Sequence, residues 1–224
     1  YLNWLGINIE NVHTNMIDNT MFYNNERSGM RLFKSDGNSI HNNTLHDNEC
    51  GIDVISSLST DISGNDLWKN EESIRLSDSY ASITGENRFN NSNTGLLITD
   101  SDADIEDCMF YENANGTASY DSSFNMTNCI FTNNTYGIYS SSSTSTINRC
   151  EFSINKYGVF LYQSNDTSIV NCTGSGIHNN IYGVLINSSS YTGMKNCSIF
   201  DNIHDLLIEN SSNGNTDGCT IYNN

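Results

Sequence analysis

The residues of this chain that are best suited to chemistry are three closely spaced aspartates, Asp100, Asp102 and Asp104. Two more, Asp78 and Asp121, stand 22 residues before and 21 residues after Asp100. If a repeating fold stacks these positions, the carboxylates repel one another unless a cation or a bound proton relieves the repulsion. Three interpretations remain open. They are a calcium site made of Asp78, Asp100, Asp102 and Asp121, a carboxylate pair of the glycosidase type, and an acidic edge whose side chains splay into solvent.

A second set of charged residues alternates in sign at a similar spacing. Arg31, Asp53 and Arg75 follow one another at intervals of 22 residues. Stacked side by side they form either a ladder of cross-strand ion pairs, which stabilises little when exposed, or a subsite for an acidic sugar. We favour the ion ladder, because no second basic residue or aromatic wall is evident beside them.

Six of the seven cysteines recur at intervals of 21 to 25 residues: Cys108, Cys129, Cys150, Cys172, Cys197 and Cys219. Parallel strands in register hold Cβ atoms about 4.8 Å apart, farther than a disulfide allows. We therefore expect buried free thiols that serve as small hydrophobic residues. A soft-metal site is disfavoured because a straight column lacks tetrahedral geometry. Cys50 stands outside this series, in a predicted turn, and is the thiol expected to react.

Apolar residues take the place of the charged row in later repeats. They are Leu97, Tyr139, Phe160, Leu185 and Leu207. We expect these side chains to point outwards as an exposed apolar stripe, and such stripes mark contacts with a partner. We favour a lateral protein contact, with another copy of the chain, a flanking surface protein or a flanking segment of the same chain. Stacking of a polysaccharide is the alternative, although leucines are poor platforms for sugars.

One internal repeat positions all these residues. The motif Gly-apolar-x-apolar-x-x-Ser recurs from anchors spaced 21 to 25 residues apart, which are Gly6, Gly29, Gly51, Ser73, Gly95, Gly116, Gly137, Gly158, Gly183 and Asp205. A second motif, apolar-x-x-(Asn or Cys)-x-apolar-x-x-Asn, follows in each repeat. Its last position forms a column of asparagines: Asn25, Asn48, Asn70, Asn113, Asn134, Asn155, Asn180, Asn202 and Asn224.

The period and the residue types together select the architecture. The segments between motifs are rich in Asn, Ser, Thr and β-branched residues, which favour turns and strands over the helical return of a leucine-rich repeat. A left-handed helix of hexapeptide repeats would show a strict six-residue period, and the sequence has no such period. The sequence therefore predicts an all-β, right-handed parallel β-helix of about ten coils, each with 21–25 residues and three short strands. Stacked coils bury a continuous core, and stacked asparagine amides bond along it.

Through the motifs Gly-Ile-x-Leu-x-x-Ser and Asn-x-Phe-x-x-Asn, nearly the whole chain resembles the parallel β-helix repeat family. This superfamily includes pectate-lyase-like enzymes and NosD-like surface proteins. Enzymes of this superfamily combine a carboxylate cluster with Arg or Lys on the face of the long strands. The resemblance thus implies an alternative function as a polysaccharide lyase, epimerase or hydrolase, using Asp53, Asp78 and Asp100 with Arg31 or Arg75.

Composition excludes some classes of protein. The chain has 26 acidic and 9 basic residues and a formal net charge of −17, which cannot form the cationic footprint that nucleic acids require. No run of eighteen apolar residues occurs, so no membrane insertion is expected. Ten Asn-x-Ser/Thr sequons are close to the number that chance gives for 37 asparagines. Among them, Asn115 and Asn187 are the expected accessible glycosylation sites.

These observations predict a single β-helix domain over residues 1–224, either a segment of a longer solenoid or a unit of a stacked filament. The expected function is structural or adhesive and non-catalytic, outside the cell or at its surface. The longest irregularity in the repeat is three residues, whereas enzyme clefts on β-helices are walled by long insertions. The alternatives are the polysaccharide-processing enzyme and a calcium-dependent carbohydrate-binding module.

Overall fold

The structure is a computed structural model that describes residues 3–222. Ten successive coils each contribute one strand to each of three parallel sheets, here called sheets A, B and C. Every strand pairs in parallel with the strands one coil before and one coil after it. No helix occurs in the described range, and hence none that is long and apolar enough to cross a membrane.

The strands of the three sheets follow one another in a fixed order around each coil. Sheet A consists of Asn3–Glu10, Asn25–Phe33, Cys50–Ile55, Glu72–Ser77, Thr94–Thr99, Asn115–Tyr120, Tyr136–Ser141, Tyr157–Tyr162, Tyr182–Asn187 and His204–Glu209. Sheet B consists of Met16–Asp18, Ser39–His41, Thr60–Ser63, Tyr80–Thr84, Asp102–Glu106, Ser123–Thr127, Thr144–Asn148, Ser168–Val170, Gly193–Lys195 and Asn215–Asp217. Sheet C consists of Met21–Tyr23, Thr44–His46, Asp66–Trp68, Arg88–Asn90, Met109–Tyr111, Ile130–Thr132, Glu151–Ser153, Ile177–His178, Ser198–Phe200 and Thr220–Tyr222. The predicted β-solenoid of ten coils is confirmed.

The core is a set of apolar columns between the sheets, one side chain per coil in each column. Sheet C supplies Phe89, Phe110, Phe131 and Phe152, whose rings stack nearly parallel with centroids 4.4, 4.6 and 4.9 Å apart. Anchor glycines make room for this column. A Cβ added to Gly137 would lie 2.5 Å from the carbonyl oxygen of Gly158 and 3.0 Å from the Phe152 ring.

At the corners of the solenoid, a residue in the left-handed backbone conformation is followed directly by a member of a ladder. A ladder is a column of equivalent side chains in successive coils. Asn133, Asp100 and Asn128 are three of these corner residues, with φ angles of 57°, 48° and 55°. Asparagine and aspartate tolerate this conformation best, which explains much of their abundance. Serines form the ladder at the corner between sheets A and B, and asparagines form the ladder between sheets C and A. At the corner between sheets B and C, asparagines in the earlier coils are followed by cysteines in the later coils.

The predicted asparagine column lies at the corner between sheets C and A. The side-chain amide of Asn134 donates to Oδ1 of Asn155 at 3.0 Å, and Asn155 donates to Asn180 at 3.1 Å. Ser92 takes the place of asparagine in one coil and accepts from the backbone of Asn70. These side chains are buried, so the ladder supplies hydrogen-bond partners to polar groups at the corner that water cannot reach. Asn224, the last predicted member, lies outside the described residues.

Candidate functional site

The outer face of sheet A carries the residues with the most distinctive chemistry. Its side chains come from three columns, which stand one place before, two places after and four places after each anchor. Coils are numbered here by the order of their sheet A strands. Coils 2 to 4 present a charged end of this face, and coils 5 to 10 present an aromatic and aliphatic end.

The centre of the charged end is a buried ion pair. Arg75 donates from Nε to Oδ1 of Asp53 at 2.9 Å and from Nη2 to Oδ2 at 2.7 Å. The side chain of Asp53 is fully buried, and Glu72 holds the other edge of the guanidinium at 3.2 Å. Hydrogen bonding to Asp53 raises the pKa of Arg75, and burial raises the pKa of Glu72.

The expected exposed ladder of alternating charges is therefore wrong in two respects. Asp53 is buried, and Arg31 does not pair with it. Instead Nη1 of Arg31 donates to Oδ1 of Asn8 at 3.1 Å, and the guanidinium lies 4.8 Å from the centre of the Phe33 ring. An arginine side chain is long enough to reach the coil on either side, and both oxygens of Asp53 already accept a hydrogen bond from Arg75.

The aromatic end is built on a ladder of stacked rings. Tyr136, Tyr157, Tyr182 and His204 follow one another with centroid separations of 4.8, 4.9 and 4.8 Å and small interplanar angles. Tyr139 meets Tyr136 and Phe160 edge-on, at 5.7 and 5.5 Å. Burial raises the pKa of Tyr136. We call this group, completed by Tyr120, the aromatic face.

The predicted apolar stripe forms part of this face but is less exposed than expected. Leu97, Tyr139, Phe160 and Leu207 are half-buried, and Leu185 is only 8% exposed. Tyr136 packs against Tyr139, and Tyr136 and Tyr157 pack against Phe160, so the outward row is one strip of a broader surface. Its assignment as a partner contact stays a prediction.

The stacked tyrosines are functional candidates that the sequence analysis missed. Tyr136, Tyr157 and Tyr182 each stand directly before an anchor glycine, at intervals of 21 and 25 residues. The recurring Tyr-Gly pair was the available signal. The predicted outward row stands two places after each anchor, whereas these tyrosines stand one place before it.

The acidic residues predicted as a calcium site lie at the corner between sheets A and B. Asp78, Asp100 and Asp121 do occupy equivalent places in three successive coils, each with φ near +49°. Their backbone N–H groups donate to the next coil, as from Asp100 to Tyr120 at 3.2 Å. All three carboxylates and that of Asp102 are exposed. Turn geometry thus accounts for aspartate at these places without a ligand.

A metal centre built from several converging side chains is not found in residues 3–222, where no three His, Cys, Asp or Glu residues are arranged to hold an ion together. The calcium assignment of Asp78, Asp100, Asp102 and Asp121 stays a prediction. Asp104 has another partner, since its carboxylate accepts from the Tyr80 hydroxyl at 2.7 Å and from Asn125 at 2.9 Å.

The cysteine column is present, and all seven cysteines are free. The expectation that Cys50 is a reactive turn residue is wrong. Cys50 begins the strand Cys50–Ile55 and is fully buried, and burial together with nearby Asp53 raises its pKa well above the ordinary value. The half-exposed thiol among the described residues is Cys219.

The expected glycosylation sites are not the most accessible sequon asparagines. Asn115 and Asn187 are half-buried, and their amides donate to Thr94 at 3.3 Å and to Glu209 at 2.9 Å. Other sequon asparagines are exposed at turns or strand surfaces, namely Asn42, Asn125, Asn133, Asn165, Asn196 and Asn210. Glycosylation of Asn115 and Asn187 stays a prediction.

Comparison with known proteins gives a family over the full length of the chain. The family model described as "Right handed beta helix region" matches residues 1–127, 73–152 and 118–224. No curated protein matches the sequence.

Solved structures share the architecture at low sequence identity. The A-module of mannuronan C-5 epimerase AlgE6 from Azotobacter vinelandii superposes with a TM-score of 0.61 at 12% identity, covering 97% of this chain and 75% of the module. The A-module of mannuronan C-5 epimerase AlgE4 from the same organism gives 0.55 at 16% identity, covering 93% and 67%. At such identities the likeness is one of fold.

Proposed function

The chain belongs to the right-handed β-helix family, and on that premise we propose that it is a non-catalytic structural solenoid that associates laterally through its aromatic face. The supporting observation is the aromatic face, whose tyrosines lie within an uncharged stretch of sheet A on an otherwise strongly acidic chain. In the three outer columns of sheet A, no charged residue occurs between coil 5 and coil 9. We place the protein outside the cell or at its surface, in keeping with its polar, acidic composition.

The geometry of the rings favours a protein partner over a sugar. Tyr136, Tyr157 and Tyr182 stack face to face, so each ring covers the face of its neighbour. What remains exposed are ring edges and hydroxyl groups. Aromatic edges and tyrosine hydroxyls are abundant in protein interfaces, whereas a sugar platform needs a free ring face.

We propose another copy of the chain as the partner. The aromatic face lies on one side of the stack of coils, in the outer columns of one sheet, so two such faces can meet side by side. The net charge of −17 opposes this association, but salt screens that repulsion while leaving apolar contact intact. Association should therefore become stronger as salt concentration rises.

Sedimentation velocity over a range of protein and salt concentrations tests the proposal. The wild-type chain should shift from monomer towards a larger species, and Phe160→Asp should abolish the shift by placing a charge in the interface. Thr146→Asp is the matched control, because Thr146 is exposed on sheet B and gains the same charge. A wild-type chain that stays monomeric at high concentration and high salt, or equal effects of the two variants, would overturn the proposal.

A second candidate function is a polysaccharide-processing enzyme, acting as a lyase, epimerase or hydrolase. It is favoured by Glu72, a half-buried carboxyl with a raised pKa beside Arg75, and by the epimerase modules that share the fold. Asp53 is poorly suited as a base, since both its oxygens accept from Arg75 inside the protein. Glu72 is thus the acid–base candidate of this face.

Incubation with mannuronan and other acidic polysaccharides tests this second function. Unsaturated ends report a lyase, new reducing ends without unsaturation report a hydrolase, and exchange of the C5 proton with solvent in an uncleaved polymer reports an epimerase. Product formation that is lost in Glu72→Gln would support the enzyme, and no product from any substrate would exclude it for these polymers.

A further inference from the structure

The six cysteines at the corner between sheets B and C occupy equivalent places in six successive coils, so their sulfur atoms form one column. Each thiol donates to the backbone carbonyl two residues earlier, at distances from 3.3 Å for Cys108 to 3.8 Å for Cys219. Because all six side chains share this orientation, neighbouring sulfurs are separated by about the rise of one coil, roughly 4.8 Å. Earlier coils carry Asn43, Asn65 and Asn87 in the same column, and their amides bond from coil to coil.

This spacing fits a linear arrangement of two thiolates around one cation. Two metal–sulfur bonds of about 2.3 Å, placed end to end, span about 4.6 Å. A tetrahedral ion such as Zn²⁺ needs four ligands around one point, which a straight column cannot supply. Soft cations with a filled d shell, such as Ag⁺ and Hg²⁺, accept two collinear thiolates and prefer sulfur to oxygen or nitrogen.

We propose that the cysteine column is a binding site for soft, two-coordinate cations, each held between the sulfurs of two neighbouring coils. Binding of one Hg²⁺ releases two thiol protons and forms two sulfur–mercury bonds. The product, a mercury bis-thiolate, carries no net charge and can therefore remain in the buried column without the cost of an isolated ion. Six thiols provide three such pairs.

The thiols of Cys172 and Cys197 donate to the backbone carbonyls of Val170 and Lys195, at 3.6 and 3.4 Å, so each sulfur keeps its lone pairs for a cation placed between them. Half-exposed Cys219 at the end of the described column offers an entry point from solvent.

Two variants with equal numbers of thiols distinguish Hg²⁺ held between neighbouring thiols from Hg²⁺ bound to a single thiol. The first, Cys108→Asn/Cys129→Asn/Cys150→Asn, keeps three neighbouring thiols, at Cys172, Cys197 and Cys219. The second, Cys129→Asn/Cys172→Asn/Cys219→Asn, keeps three thiols with an asparagine between each pair. Asparagine is chosen because three coils of the same column already use it.

The measurement is Hg²⁺ titration of the reduced protein without other thiols, followed by ultraviolet charge-transfer absorption, by proton release and by melting temperature. A challenge with excess glutathione then shows how much Hg²⁺ each protein retains. The wild type should retain three Hg²⁺ per chain with two protons released for each, the neighbouring-thiol variant one, and the separated-thiol variant none. At glutathione concentrations low enough for both variants to hold Hg²⁺, its release from the neighbouring-thiol variant should need at least a tenfold higher glutathione concentration than its release from the separated one. Bound metal should raise the melting temperature only where neighbours remain.

Two results would overturn the proposal. One is equal retention by the two triple variants, and the other is a folded wild type that takes up Hg²⁺ only after unfolding. If circular dichroism shows that a triple variant does not fold, Cys197→Ala and Cys50→Ala replace them. The first should retain two Hg²⁺ and the second three, and the same number in both would contradict the column site.

Discussion

At the scale of single residues, Asp53 is stable as a buried carboxylate only because Arg75 donates to both of its oxygens. Removing one partner of such a pair leaves an uncompensated buried charge, which typically costs about 3 to 5 kcal/mol. We expect Arg75→Leu to lower the free energy of unfolding by an amount in this range, measured by urea denaturation. Arg31→Leu in the same column should cost less than about 1 kcal/mol, since Arg31 pairs with no charged residue among those the structure describes and contacts exposed Asn8 and the Phe33 ring. Equal losses would contradict the assignment.

Glu72 gives a pH dependence with a definite sign. Its pKa is raised by burial in the folded state, so the folded chain holds this proton more tightly than the unfolded chain does. The stabilising contribution is therefore complete below the ordinary value of 4.5 and is lost as pH rises through the raised value. Glu72→Gln should remove this loss, so the difference in unfolding free energy between variant and wild type should increase with pH. A constant difference from pH 4 to pH 8 would show that Glu72 titrates normally.

The aspartates at the corner between sheets A and B allow a direct test of calcium. If Asp78, Asp100, Asp102 and Asp121 bind Ca²⁺ in the folded state alone, millimolar calcium should raise the melting temperature by mass action. Asp100→Asn should remove most of the rise, and Asp166→Asn, at another left-handed position, should not. An unchanged melting curve in the wild type would leave turn geometry as the sole explanation of this acidic series.

At the scale of elements, the corners explain how a chain with 37 asparagines folds. Ile154 breaks the corner pattern, because it is a β-branched residue with φ of 59° and 60% exposure. Asn133 and Asn179 hold the equivalent places in the adjoining coils. A left-handed conformation costs such a residue about 1 to 2 kcal/mol.

Replacing Ile154 should therefore stabilise the protein. We expect Ile154→Asn to raise the free energy of unfolding by about 1 kcal/mol, since little burial is lost at so exposed a position. The reverse change, Asn133→Ile, should lower it by a similar amount. Both are measured by denaturant titration, and a loss of stability in Ile154→Asn would mean that its contacts outweigh the backbone strain.

The fold could be predicted from sequence because every coil repeats the same constraints. Spacing of the anchors gave the ten coils, and the asparagine column followed from Asn48, Asn134 and their equivalents. The site could be predicted only in part, because it depends on where long side chains turn. Arg31 reaches back to Asn8, which no spacing reveals.

Burial of a side chain by residues of neighbouring coils was equally hard to predict from the sequence. Cys50 follows a polar segment that resembles a turn, yet in the structure it begins a strand beside Asp53 and Arg75, whose paired side chains lie on the same outer face. The stacked tyrosines became evident as a surface only when the register of sheet A aligned Tyr136, Tyr157 and Tyr182.

At the scale of the whole molecule, each coil contacts only its neighbours, so stability is close to a sum of coil and interface contributions. Phe131 lies between the rings of Phe110 and Phe152, in the middle of the phenylalanine column. Phe131→Ala should cost about 3 to 5 kcal/mol and weaken both interfaces of its coil. The two sides of the solenoid should then unfold in separate steps, visible as unequal loss of protection in hydrogen exchange.

Phe131→Leu should keep a single step at a smaller cost, because Leu45 and Leu67 already fill the same column in earlier coils. Uniform loss of protection along the chain in Phe131→Ala would mean that the coils fold as one cooperative unit, and that nearest-neighbour coupling does not describe this solenoid.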